Sequence, residues 1–213
     1  VPARTAAPRK RAYDSSRRQR QAEQTRADVL MAAVRLFGEQ GWTRTTVAAI
    51  AKEAGVAVET VYSGFGSKKA LVRDAYDASV VGDAAPVPLA DRPEFARTSE
   101  GSVDERLQAG MDLLADVHER SSGTWRALLE AASGDEDLRA WLREADQRRR
   151  IDIRRGMGQI FGRSIPDPQL DVLWILLGPE TWWHLVRDLG YSRAQYQDAL
   201  ATTIRLLVGE DPE

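Results

Sequence analysis

Apolar side chains in this chain recur three and four positions apart in segment after segment, and no stretch alternates apolar and polar residues one by one. Such spacing stacks side chains on one face of an α-helix, which turns once in about 3.6 residues, whereas a half-buried strand needs a period of two. The pattern is cut only by glycine, proline and serine clusters, and it shows no internal repeat. It predicts an all-α fold.

The first periodic stripe is Val29, Leu30, Ala33, Val34 and Phe37, with Gly41 as the stop, so residues 21–40 read as an amphipathic helix. Thr45 and Thr46 then offer hydroxyl caps to Val47, Ala48, Ile50 and Ala51, a short helix that ends at Gly55. After the Gly55-Val56 turn, residues 57–65 place Val58, Val61 and Phe65 on an inward stripe and leave Glu59, Thr60 and Tyr62 outward. Ser67 caps a fourth helix, Lys68–Val81. Two short helices at a tight glycine turn, preceded by a longer support, are the helix-turn-helix arrangement, whose second short helix enters the major groove of DNA.

Charge divides along the same line. Residues 1–82 carry 14 Lys and Arg against 8 Asp and Glu, and residues 83–213 carry 16 against 24, so a basic part precedes an acidic one. Anionic DNA attracts the first and repels the second. Residues 1–20, rich in arginine and poor in apolar side chains, read as a flexible basic arm in which Arg17 and Arg18 are candidates for backbone contact. Residues 21–82 form the helix-turn-helix domain, and the prolines after Gly82 open a second domain, 83–213. There the periodicity gives helices over 103–120, 124–132, Glu136–Phe161, 169–189 and 194–208, with Pro179 kinking or splitting the fourth.

The N-terminal pattern has specific offsets: Leu36-Phe37, Gly41-Trp42, Thr45-Thr46-Val47, Ile50-Ala51, Ala54-Gly55-Val56, Thr60-Val61-Tyr62, Phe65, Ser67-Lys68 and Leu71. Over about residues 25–75 it resembles the DNA-binding domain of the tetracycline-repressor (TetR) family. The resemblance implies phosphate contacts from Thr46, Tyr62 and Lys68, with Val58, Glu59 and Thr60 nearest the base edges. Two departures stand out. Ala57 replaces the family's usual capping serine, and Gly64 the usual bulky or histidine residue, so one phosphate contact is missing and the end of the recognition helix is looser.

For the second domain the resemblance implies a dimer made by the last two helices, and Leu173, Trp174, Leu177, Leu200, Ile204 and Leu207 are the expected interface. Aromatic and methionine residues suggest a cavity for a largely apolar small molecule, with Trp125, Met157, Trp183 and His184 as its candidate lining. His118 reads as a surface or helix-end residue, and Glu130 and Asp135 as solvated helix ends. The implied function is a repressor that a small molecule releases from a palindromic operator on double-stranded DNA. The alternative is an architectural, sequence-tolerant DNA-binding protein without a ligand.

Nothing in the sequence favours an enzyme: it has no phosphate-cradling glycine loop, no nucleophile elbow, no metal-ligand cluster and no cysteine, and no cofactor is expected. The basic first residues lack the apolar run of a secretory signal, and the apolar run at 172–178 is too short to span a bilayer, so the expected location is cytoplasmic.

Overall fold

A computed structural model describes residues 11–85 and 87–209, and among these every regular element is helical. The N-terminal elements are α1 (Arg11–Arg44), α2 (Val47–Glu53), α3 (Val58–Phe65) and α4 (Lys68–Val81). A short 3-10 turn (Leu89–Asp91), α5 (Pro93–Ala96) and a second 3-10 turn (Arg97–Ser99) lead to α6 (Val103–Ala132) and α7 (Glu136–Phe161). The chain ends in α8 (Asp167–Leu176), α9 (Pro179–Trp182) running into a π-helical turn (Trp183–Asp188), and α10 (Arg193–Val208). No helix among them is long and apolar enough to cross a membrane.

Local chemistry sets most of the boundaries. Gly41 breaks α1 with φ 75° and ψ −178°, so the helix proper stops where the sequence stripe stops, and one further turn carries the chain to Thr45. Thr46 accepts from Ala49 N at 3.0 Å, Ser67 from Ala70 N at 3.1 Å, and Asp135 from Leu138 N at 3.0 Å, so α2, α4 and α7 each begin at a side-chain cap. Ser102 with Glu105, and Ser192 with Gln195, form capping boxes on α6 and α10. Helix α3 follows Ala57 without a side-chain cap, as its sequence requires.

Two expectations change. Helix α1 begins at Arg11, so residues 11–20 continue the support helix instead of forming a flexible arm, and Arg17 and Arg18 are exposed along its first turns. The rest of the arm, with Arg4, Arg9 and Lys10, lies outside the described residues. The Ser-Gly punctuation at 121–123 does not divide 103–132 into two helices. Gly123 sits where α6 crosses α1, and a Cβ there would stand 2.5 Å from Gly38 O, so this glycine lets two helices approach and does not end one. At Pro179, by contrast, the chain splits into α8 and α9.

The four N-terminal helices do not close their core alone. Phe37, Ile50, Val61, Leu71 and Ala75 are joined in one apolar cluster by Trp125, Leu128, Leu138 and Leu142 from α6 and α7. A segment of this size buries too little surface by itself, and the far half of α6 supplies the remainder. A second cluster, built on Leu107, Met111, Ile160, Leu173, Tyr196 and Ile204, holds the near half of α6 to α7, α8 and α10.

Candidate functional site

The surface opposite this first core is the α3 face. Val61 and Phe65 are buried, while Glu59, Thr60 and Ser63 are exposed and Tyr62 is 50% exposed. Val58 is half-buried against the core, so only Glu59 and Thr60 of the three expected base-edge residues stand clear of the protein. Exposed Thr46 uses an oxygen lone pair to cap α2, which leaves its hydroxyl proton free to donate outward. Its neighbour Thr45 is fully buried, with its hydroxyl 3.0 Å from Leu36 O and 2.8 Å from Gly41 O, locking the turn that sets the angle between α1 and α2.

Lys68 does not project freely. Its ammonium donates to Trp42 O at 2.6 Å, lies 3.9 Å from the centre of the Trp42 ring, and loses basicity mainly through partial burial. Trp42 in turn stacks on Phe37, with ring centres 6.0 Å apart. The phosphate contact expected of Lys68 therefore competes with an internal one.

Arg26 ties α3 into this framework. Its guanidinium donates to Gly64 O at 2.6 Å and to the Asp74 carboxylate at 2.7 Å, and it covers the Phe65 ring at 4.2 Å. The end of α3, loosened by Gly64, is thus held from α1 and α4. Glu130 does the same for the turn after α1, accepting from Trp42 N at 2.9 Å and from the Thr43 hydroxyl, which holds its carboxyl below the usual range. Asp135 pairs with Lys69, chiefly for which reason its pKa also falls. These two carboxylates are links between the N-terminal helices and α6–α7, not merely solvated helix ends. A sequence without pairing information does not reveal that.

The structure also contains a cavity of about 920 Å³. Its walls come from α1 at Arg26 and Leu30, from α4 at Tyr76, Asp77 and Val80, from the segment at Val87, Leu89 and Phe95, and from α6 and α7. Of the four expected lining residues, Met157 faces it and the other three do not. Trp125 is buried in the first core, its ring 5.1 Å from Tyr76 and its indole N–H donating to Glu180 at 2.6 Å. Trp183 is half-buried under the Arg126 guanidinium, 3.9 Å from its ring centre, and His184 is exposed and paired with Asp188 at 2.8 Å. The break at Pro179 and the π-helical turn after it carry both outward.

His118, expected at the surface, is instead 3% exposed and lines the cavity. Burial, reinforced by the nearby Arg149 charge, pushes its pKa down to about 3, so it is neutral. The sequence carried a usable signal: Met111, Leu114, Val117, His118 and Ser121 fall three and four apart on one face of α6, and all five line the cavity.

In the second domain, four of the six expected interface residues are spent internally. Leu173, Leu177, Leu200 and Ile204 are buried in the second core and cannot also meet a partner. Trp174 and Leu207 are half-buried. The apolar side chains that α8 and α10 turn outward are Val172, Ile175 at 64% exposure and Leu206 at 83%. Among the described residues no cluster of His, Asp or Glu is arranged to hold a metal ion.

Residues 29–75 match the family profile of the bacterial regulatory proteins of the tetR family. No curated protein matches the sequence. Among solved structures, a protein from Rhodococcus sp. assigned as a TetR-family transcriptional regulator aligns with 88% of this chain and 99% of its own, at 21% identity and a TM-score of 0.64. A Clostridium perfringens protein assigned as a fatty acid metabolism regulator aligns over 86% and 100%, at 17% identity and a TM-score of 0.60. NalD, the secondary repressor of the MexAB-OprM multidrug efflux pump in Pseudomonas aeruginosa, aligns over 90% and 99%, at 21% identity and a TM-score of 0.56. These likenesses speak for the fold; the profile match falls on the helix-turn-helix itself. Residues 29–75 thus carry a helix-turn-helix domain of the tetR family of bacterial regulatory proteins.

Proposed function

We propose that this protein is a homodimeric repressor that binds a palindromic operator through α3 and leaves it when a largely apolar small molecule fills the cavity. The observation that carries the reading is the position of that cavity. Arg26 and Asp74 line it, and Arg26 also holds Gly64 O at the end of α3, so a ligand at that wall bears directly on the helix offered to DNA. A ligand that prefers one orientation of α1 and α4 shifts the population between DNA-competent and DNA-incompetent forms. In this reading Thr46, Glu59, Thr60 and Tyr62 meet the duplex, and Arg17 and Arg18 add backbone contacts from the extended start of α1.

The dimer is inferred from the outward apolar face of α8 and α10. Val172, Ile175 and Leu206 are exposed in one chain. A second copy covers such a face by two-fold symmetry. NalD, a similar fold, is described as the secondary repressor of a multidrug efflux pump, and this supports a repressor here. Residues 21–82 then serve DNA, residues 83–213 serve ligand and partner, and the protein acts in the cytoplasm beside its operator.

The test is a gel-shift titration on DNA adjoining the gene. The reading expects a discrete complex with two protomers on a fragment whose half-sites lie about one helical turn apart, dissolved by an apolar fraction of cell extract. Binding that is indifferent to sequence and untouched by extract would instead favour an architectural DNA coat.

A further inference from the structure

We propose that the effector carries an acceptor oxygen on a mainly apolar body, and that this oxygen is held by donors on one wall of the cavity: the Tyr76 hydroxyl, the His118 Nε2–H and the Ser121 hydroxyl. The inference rests on the ligand-responsive reading above and names the chemistry of the ligand.

The decisive group is His118. Its Nδ1 lies 2.8 Å from the hydroxyl of Tyr196, a fully buried residue whose hydroxyl has no other hydrogen-bond partner among the described residues. A buried hydroxyl that accepted there would leave its own proton unsatisfied, and burial keeps this phenol protonated. Tyr196 therefore donates to Nδ1, and the single proton of the neutral ring sits on Nε2. That N–H has no acceptor within the described residues, and the ring faces the cavity.

Two further groups share its situation. Ser121, one turn along α6 and 1% exposed, and Tyr76, from α4 and 8% exposed, both line the cavity, and their hydroxyls have no hydrogen-bond partner among the described residues. Arg149 lines it too and acts electrostatically on both His118 and Tyr76; its own guanidinium is partly engaged by Asp146 at 3.0 Å. An Nε2–H and a guanidinium can only donate. Donors that open onto the cavity without a protein partner favour a ligand that satisfies them, and an oxygen of a ketone, ester or carboxylate does so. A quaternary ammonium offers these donors nothing, and the carboxylates on the lining are already engaged by arginines, Asp74 by Arg26, Asp83 by Arg92 and Asp77 by Arg148, with Asp152 facing Arg155 and Arg148.

The experiment uses the full chain and N-phenyl-1-naphthylamine, an apolar fluorophore without oxygen, as cavity reporter. Its displacement is measured with 2-undecanone, decanoate and decyltrimethylammonium, for wild type and for Tyr76→Phe, Ser121→Ala and Tyr196→Phe, each of which keeps the shape of its site. At least one oxygen probe should outcompete the ammonium by about tenfold or more, and the ketone-to-decanoate ratio distinguishes a neutral from an anionic acceptor. Tyr76→Phe should weaken the oxygen probes by about 5- to 10-fold while leaving the ammonium unchanged. Tyr196→Phe, which lies off the cavity wall, should do the same by releasing the proton of His118 from Nε2. Equal displacement by the ammonium, or oxygen-probe affinities that none of the three variants alters, would overturn the acceptor assignment while leaving a ligand-binding cavity in place. A reporter that never enters would overturn the cavity reading itself.

Discussion

At the scale of single residues, the groups that matter most are polar and buried or polar and capping, and they differ in how openly the sequence announces them. His118 makes a pH prediction. Its folded pKa is pushed far below its ordinary value of 6.5, so between pH 6.5 and about 3 the unfolded chain binds a proton that the native protein refuses. The contribution of the neutral ring is therefore complete above pH 6.5 and declines as pH falls, by about 1.4 kcal/mol per unit. Urea denaturation of wild type and His118→Gln at pH 7 and pH 5.5 should show a steeper loss in wild type; parallel slopes would refute it. The caps at Thr46 and Ser67 were legible, because a hydroxyl just before an apolar stripe has few other uses. His118 was legible only in part: it shares the α6 face of Met111, Leu114, Val117 and Ser121, but no local pattern encodes its pairing with Tyr196, 78 positions away. Arg26 is similarly silent in sequence, since its partners Gly64 and Asp74 come from α3 and from α4.

At the scale of helices, two glycines that look alike in sequence have opposite roles. Gly64 lies in α3 with nothing within 4 Å of a Cβ built on it, so Gly64→Ala should stabilise the protein by about 0.5–1 kcal/mol by removing backbone freedom from the unfolded chain. Gly123 lies in α6 with Gly38 O at 2.5 Å from such a Cβ, and that atom belongs to backbone that cannot swing aside. Gly123→Ala should cost roughly 1–3 kcal/mol by forcing α1 and α6 apart. Thermal melts of the pair check both signs, and a neutral Gly123→Ala would mean the crossing is looser than described. Helix ends with side-chain caps, and the interruption at Pro179, were readable from composition and period. The continuity of α6 through Ser121, Ser122 and Gly123 was not, because a glycine that ends a helix and one that admits a neighbour have the same sequence signature.

At the scale of the whole molecule, the N-terminal helices and the larger domain share a core, and the cavity opens between them. Mechanical separation of recognition and ligand sites is thereby avoided, since a change at Arg26 is felt at both. In the proposed dimer the outward face of α8 and α10 meets the second protomer. Leu206→Glu should shift the protein from dimer to monomer in sedimentation velocity without loss of helical signal, whereas Ile204→Glu, at a fully buried position, should unfold it. A dimer that survives Leu206→Glu would place the interface elsewhere. The all-helical layout was legible throughout, but the division of the last helices into inward and outward faces was not, because α8 and α10 are apolar on both sides and periodicity alone cannot say which side meets the protein's own core. The central claim is that the exposed face of α3 reads DNA. Fluorescence anisotropy on the adjoining DNA fragment tests it most directly, with wild type, Thr60→Ala and Tyr62→Phe compared at fixed salt. The account predicts a loss of affinity of about tenfold for each variant with an unchanged melting temperature, and full-strength binding by both would contradict it.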